Sequence, residues 1–539
     1  MSADIAILPT PPTGLIVRQM GRSSRLVSTT SLIASLTAGS RVLGLVRECV
    51  FSHYFGTSEV LSAFRIAFMA PNLARRLFGE GALSAAMIPV LTETLHEHGP
   101  DRSRRFVGGL FVLLVAMLAI LVVGVEVVIA GWRTLQDDLA LKLAAILMPY
   151  MVLICTVAIA GGVLQVRNHF ATPAALPILL NIAIIVTALA GAGWAGLEGA
   201  RLIYAICGAV LVAGVLQLAA IVAALRAVRF FPLLGGPWRD PQVRKVLTLM
   251  GPMVLGLSAV QINSLVDYLI AYLCIGEVGQ REGPAVLGYA QFLYQLPLGV
   301  FGIALATAIF PVLSRKATER DYPGLADAVH RGMRLSLFIA MPASVGLMFV
   351  AHPLVAALYQ HGASDVTATG RIASTLVFYS IGLVAYFSQH ILVRTFYANH
   401  NSRTPARVAL VIVVVNLVMN LSLVSVLQER GLALATAVCA TIQAVWLSCL
   451  LIREIPDLRW KAVAGGALRM LVSTSAMAIV LTVFVSLTDA WSVSPENRSR
   501  LHVVTLVVGL VLTGVVSYLA ACYSLGVEEL RSALGRRDR

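Results

Sequence analysis

Fourteen long apolar runs decide what this chain can fold into. Their borders lie near 27–51, 60–93, 106–130, 143–164, 174–194, 202–225, 246–275, 285–313, 335–351, 372–393, 408–427, 431–452, 466–488 and 501–523. An α-helix of about 20 apolar residues crosses the hydrocarbon of a bilayer. The runs are continuous rather than alternating, so a membrane β-barrel does not fit. Composition agrees. The chain has 539 residues, is 58% hydrophobic and only 13% charged, and has a mean hydropathy of +0.84. Soluble domains are about 45–50% apolar and about 25% charged. A soluble enzyme, a disordered chain and a secreted disulfide scaffold are all excluded. The fold class expected is an all-α polytopic membrane protein of about fourteen helices.

Charge sets the expected orientation. The net charge is +14. With the N-terminus in the cytoplasm, the segments on that side hold 27 Lys and Arg and those on the other side hold 8. Cytoplasmic loops attract such an excess, so the positive charge reads as topology and not as a nucleic-acid partner. An even number of spans leaves both termini cytoplasmic. The seven cysteines lie in or beside apolar runs with no CxxC pair, which argues against a zinc site or a disulfide frame. No signal peptide opens the chain. No phosphate-binding loop follows a strand, so neither ATP hydrolysis nor any other enzymatic activity is expected.

The chain repeats internally. Residues 82–91 read ALSAAMIPVL and residues 304–313 read ALATAIFPVL, identical at six of ten positions. Six spans separate the copies, so the halves share an orientation, a parallel repeat about an axis along the membrane normal. The expected organisation is a tail at 1–26, a first lobe at 27–225 (spans 1–6) and a basic linker at 226–245. A second lobe at 246–452 (spans 7–12), spans 13 and 14 at 453–523 and a cytoplasmic tail at 524–539 follow. The two lobes flank a central cleft.

Charges inside the membrane mark the candidate site. Arg41, Arg47, Arg65, Arg75 and Arg76 fall within spans 1 and 2, with Glu48 and Glu80 the acids beside them, a balance of +3. A charge at mid-membrane costs about 2.5–3.5 kcal/mol on insertion scales, so these residues face a partner or a cavity. Spacing pairs Arg76 with Glu80 and puts Arg41 on the face of Glu48. Unmatched cations call for an anionic ligand, and the planar guanidinium binds phosphate through two bonds at once. The alternative is that the arginines reach the interfaces or lock the lobes together. A second polar set comprises Asp267 in span 7, near Gln261 and Asn263, with Asn416 and Asn420 in span 11 and Thr436 in span 12. Carboxylate and amide oxygens suit a small hard cation, so these residues form a candidate Na+ or H+ coupling site. Ordinary hydrogen bonding between helices is the competing reading. In the linker, Phe230, Phe231 and Trp238 among five basic residues fit a segment lying on anionic lipid.

The run Ser40-Arg41-Val42-Leu43-Gly44-Leu45-Val46-Arg47-Glu48 resembles the first-span motif of the lipid II flippase family (MurJ/MviN). So does the run from Ala67 through Phe68, Pro71-Asn72, Arg75-Arg76, Phe78 and Glu80-Gly81-Ala82 to Pro89, and the segment Leu296-Pro297-Leu298-Gly299-Val300. The resemblance covers all but the first ~25 residues. It implies an exporter-superfamily fold and transport of the lipid-linked peptidoglycan precursor, lipid II, across the bacterial cytoplasmic membrane by alternating access. It also implies cavity roles for Arg41, Arg47, Arg75 and Glu80. Implied partners are lipid II, membrane lipids and cell-wall synthesis enzymes, with no cofactor beyond a coupling ion. Two positions depart from the family pattern. Ser62 stands where an aspartate is common, and Gln291-Phe292 stand for an Asp-Arg pair whose arginine faces the cavity. Arg65, three residues from Ser62, is the candidate replacement cation. Two other readings stay open: a flippase for another polyprenyl-diphosphate-linked saccharide, and a non-transporting cell-envelope scaffold. A multidrug exporter prefers an acidic cavity and fits a +3 patch poorly.

Overall fold

A computed structural model describes residues 13–77, 82–133, 138–233, 240–277, 279–491 and 499–533, and every regular element among them is helical. The order is α1 (Thr13–Phe55), α2 (Glu59–Ala74), α3 (Ala82–Arg133), α4 (Leu139–Val166), α5 (Ala171–Gly193), α6 (Gly199–Ala227) and α7 (Pro241–Cys274). Next come α8 (Gly283–Pro297), a π-helical turn (Leu298–Gly302), α9 (Ile303–Thr318), α10 (Tyr322–Tyr359), α11 (Val366–Ile381) and α12 (Leu383–Ala398). The chain ends with α13 (Arg403–Leu427), α14 (Glu429–Glu454), α15 (Lys461–Thr488), α16 (Arg500–Ser524) and α17 (Glu528–Ala533). Short polar side chains start many of them, because the first backbone N–H groups of a helix have no partner within it. Asp138 accepts from Ala140 N (2.7 Å), Asp240 from Gln242 N (2.9 Å) and Asp365 from Ala368 N (2.7 Å).

Among the described residues, ten helical segments are long and apolar enough to cross a membrane, or eleven if the bent pair α11–α12 counts as one. The helices expected as spans 1, 2 and 7 are not among them, and the first two carry the arginines. Fourteen crossings are therefore not reached by that measure. Helix α1 already includes residues 13–26, inside the segment expected to be a tail. Span 2 is divided. Residues 75–77 form a π turn between α2 and α3, and the internal repeat places residues 297–299 at the equivalent point of α8–α9, where the second π turn lies.

Helices α1–α6 pack together through α2, α3 and α6 on α4 and α5 on both α1 and α6. A second group forms through α7 on α13, α8 on α11, α10 on α11 and α12, and α14 on α12 and α13. Helices α15 and α16 pack on each other and on α10. The linker does not lie wholly on the surface as expected. Phe230 is buried under Arg104 and Arg167, each 5.9 Å from its ring, and Leu233 N donates to Arg104 O. Trp238 lies outside the described residues.

The halves also meet at the end of the bundle holding the α1–α2 turn, called here the far end. Ser52 Oγ donates to Tyr359 O (2.5 Å), Ala363 N to His53 O (2.9 Å) and Tyr289 OH to Gly56 O (3.1 Å). Gly56 has φ +54°, and a Cβ there would also overlap the Ala363 carbonyl, so only glycine fits. Arg281 pairs with Asp138 (3.0 Å) and Tyr272 OH donates to the same carboxylate (2.8 Å). Burial opposes the charge on Arg281, but the Tyr272 and Asp138 oxygens outweigh it and hold its pKa above the ordinary value. Arg371 binds Glu429 (2.7 Å) and Glu282, and Thr57 Oγ1 reaches Glu282 at 3.4 Å.

Candidate substrate site at the seam between the halves

The intramembrane arginines lie along α1 and α2: Arg65 meets α8, Arg41 the π turn that follows it, Arg76 meets α7 and Arg47 meets α5. Glu48 is 2% exposed, and its carboxylate accepts from Arg47 Nη2 (2.8 Å) and Arg65 Nη2 (2.7 Å). Arg47 also donates to Asn181 of α5 (2.9 Å), whose amide donates to Ser40 O (3.2 Å). The Arg65 guanidinium lies over the Tyr289 ring, 4.7 Å from its centre. Arg75 reaches Asn72 Oδ1 (3.1 Å) and Arg76 reaches Gln261 Oε1 (3.1 Å). The expected partner of Arg76, Glu80, lies outside the described residues. The expected Arg41–Glu48 pairing is replaced. Two other arginines occupy that carboxylate, and Arg41 instead packs on the backbone of Gly299. One carboxylate thus serves two guanidinium groups. The seam keeps an excess of positive charge, as an anion site requires.

The two departures are accommodated without stranded charge. Ser62 is buried, and its hydroxyl accepts from Ala285 N (3.2 Å). That N–H belongs to the first turn of α8, whose own preceding residue supplies no cap, so Ser62 caps α8 from the other half. Gln291 accepts from Tyr268 OH (2.9 Å), and Phe292 packs beside Gly44 of α1. Arg65 sits one turn from Phe292 along α8, against Gly288 and Tyr289. A cation of α2 thus lies beside the α8 segment that lacks its own.

Asp267, Asn416, Asn420 and Thr436 do come together. Asn420 Nδ2 donates to Asp267 Oδ1 (2.6 Å) and to Asn416 Oδ1 (2.7 Å), and Thr436 Oγ1 donates to Asp267 Oδ2 (3.2 Å). All but Thr436 are buried. Asn420 Oδ1 and, one turn before Asp267, Asn263 Oδ1 are buried with no hydrogen-bond partner among the described residues. Buried acceptors left open are rare, and oxygen acceptors beside a carboxylate fit a small cation. No cluster of three or more His, Cys, Asp or Glu suited to a metal ion occurs among the described residues. A recess of about 310 Å³ lined by Leu45, Cys49, His53, Tyr54, Leu189 and His361 touches neither polar set.

Sequence reasoning passed over Asn181 and the Arg371–Glu282–Glu429 group, and grouped Gln261 with Asp267 where the structure has it bound by Arg76. An asparagine inside the apolar run of span 5 was a usable signal for Asn181. Lone charges in loops looked like topology alone.

The family model described as "Lipid II flippase MurJ" matches residues 51–524. The chain belongs to the MurJ lipid II flippase family. A probable lipid II flippase MurJ of Rhizobium tropici is 31% identical over 507 residues, 92% of this chain and 93% of that relative. The lipid II flippase MurJ of Burkholderia cenocepacia is 33% identical over 429 residues, 77% of this chain and 81% of that relative. A solved MurJ in an inward closed conformation aligns with a TM-score of 0.73 over 94% of this chain and 100% of that one, at 22% identity. An inward-facing MATE transporter of the MOP superfamily aligns at 0.58 and 17% identity, over 79% of this chain and 94% of that one. Membership settles the class: a multi-pass transmembrane transporter and not an enzyme.

Proposed function

We propose that this protein moves lipid II from the inner to the outer leaflet of the bacterial cytoplasmic membrane, with both termini in the cytoplasm. The observation that carries the reading is the set of arginines along α1 and α2: Arg47 and Arg65 share the buried Glu48 carboxylate, while Arg41 lies at Gly299, Arg75 at Asn72 and Arg76 at Gln261. The diphosphate replaces its hydration with guanidinium bonds as it enters between the lobes. The lipid tail stays in the bilayer, along the surface of α15 and α16. Rocking of the lobes about the site then exposes it to the other side. No bond is made or broken.

Complementation tests the substrate. In a bacterium depleted of its own lipid II flippase, this chain is expected to restore growth and a stably inserted Arg75→Ala variant is not. A well-expressed wild-type chain that fails would move the assignment to another polyprenyl-diphosphate-linked saccharide, with Ser62 and Phe292 as the residues to revert.

The Asp267 cluster supports a coupling role for Na+ or H+. Its open amide oxygens and single carboxylate suit a monovalent ion, which must bind weakly enough to leave again in each cycle. An Asp267→Asn variant is expected to lose the response of transport to imposed Na+ and proton gradients, measured in vesicles. A wild-type protein insensitive to both gradients would remove the coupling role.

A further inference from the structure

Two arginines of the first half insert into glycine positions of the second. A Cβ on Gly299 would lie 2.7 Å from Arg41 Cζ and closer still to its nitrogens, and a Cβ on Gly288 would lie 2.7 Å from Arg65 Nε. Real Cβ atoms do not come so near. Gly288 and Gly299 are eleven residues apart, three helical turns, and so lie on one face of the α8–π–α9 rod. Phe292, between them on that face, packs at Gly44. Span 8 thus presents a stripe of bare backbone, ring, bare backbone to α1 and α2.

The two notches differ in what else holds the guanidinium. Arg65 is tethered by Glu48 at 2.7 Å and by the Tyr289 ring. Arg41 has no acidic or hydrogen-bonding side-chain partner among the described residues. It also docks inside the π turn Leu298–Gly302, a helix irregularity that recurs at functional positions. Arg65 is therefore a fixed cation and Arg41 a releasable one.

We propose that Gly299 is a positioning residue for Arg41. Its bare backbone parks the guanidinium at the seam between the lobes until an anionic headgroup draws it away, so that substrate binding itself loosens α1 from span 8. An intramembrane cation without a counter-charge is costly, and two bonds to a diphosphate relieve that cost. Leaving the notch removes a contact between the lobes at the depth where they must part. This rests on the reading that the seam receives an anionic headgroup, and the test separates the two.

The test is a double-mutant cycle on the purified full-length protein, read as the thermal unfolding midpoint without substrate. Gly299→Ala is expected to lower the midpoint when Arg41 is present and to leave it unshifted in an Arg41→Ala background. An equal drop in both backgrounds overturns the proposal, because it shows a helix effect independent of the guanidinium. Should Gly299→Ala not accumulate, recovery of folded protein in the double variant supports the notch and its absence overturns it. In the complementation assay Gly299→Ala is expected to fail. Growth at the wild-type rate overturns the positioning role. Failure of the wild-type chain speaks against the substrate alone, since the unfolding cycle contains none.

Discussion

Glu48→Ala is expected to lose about 3–5 kcal/mol of stability, the usual consequence of removing one partner from a buried ion pair. The carboxylate is the shared acceptor of Arg47 and Arg65. Without it Arg47 keeps Asn181, whereas Arg65 keeps only an aromatic face and the Gly288 backbone. Two like charges then face each other where water is scarce. The protein should accumulate poorly and unfold at a lower temperature in detergent. Replacing both members, Glu48→Leu with Arg65→Leu, removes the stranded charge along with its partner. That double variant is expected to regain most of the stability and none of the transport. A Glu48→Ala protein as stable as wild type would show that the arginines are neutralised by something other than this carboxylate.

The second large effect is expected at the far end. Arg371 of α11 holds Glu282 and Glu429 together, and Glu429 is buried. Through Glu282 the group reaches Thr57 in the α1–α2 turn, next to the backbone bonds from Tyr289 and Ala363. Arg371→Ala leaves two carboxylates adjacent and one of them buried without its cation. The repulsion loosens the starts of α8 and α14 within the second half, and with them the Thr57–Glu282 contact to the first half. A shift of 1–2 kcal/mol in the balance between closed and open states changes the open population by about 5–30-fold. The readout is labelling of a cysteine placed at buried Ser364 by a membrane-impermeant maleimide. Labelling should rise by that order in Arg371→Ala and stay at background in the wild-type sequence. Unchanged labelling would show that the Ser52–Tyr359 and His53–Ala363 bonds close the far end unaided. At the opposite end the Lys245–Glu93 pair is exposed on both sides, and such pairs contribute about 0–1 kcal/mol. Its removal is expected to leave labelling unchanged.

Much of this architecture was legible in the sequence because a membrane imposes a simple code. Length and apolarity announce helices, and the ALSAAMIPVL/ALATAIFPVL copies announce the two halves and even align their π turns. Charges in apolar runs stand out because they are expensive there, and the structure brings Arg47 and Arg65 onto Glu48. Spacing rules failed where partners are distant in sequence. Adjacency along one helix suggested Arg41 with Glu48, but Arg65, from the next helix, takes that carboxylate, and Arg41 finds Gly299 instead. A glycine carries no sign of the guanidinium that will fill its place. Arg371, Glu282 and Glu429 each sat alone in a loop or at a helix start, and nothing local joins residues 89 and 58 positions apart. The Asp267 cluster was found because four polar residues in three apolar runs have few alternatives to meeting one another.

Carriage of a lipid-linked diphosphate through the arginine seam, as proposed, is open to direct test. The most direct measurement is translocation by the purified protein in liposomes carrying lipid II in one leaflet, scored by arrival of its headgroup in the other. Wild-type protein is expected to accelerate arrival, and Arg75→Ala, inserted in equal amount, is not. Equal acceleration by both proteins, or none by a correctly folded wild type, would contradict the proposal.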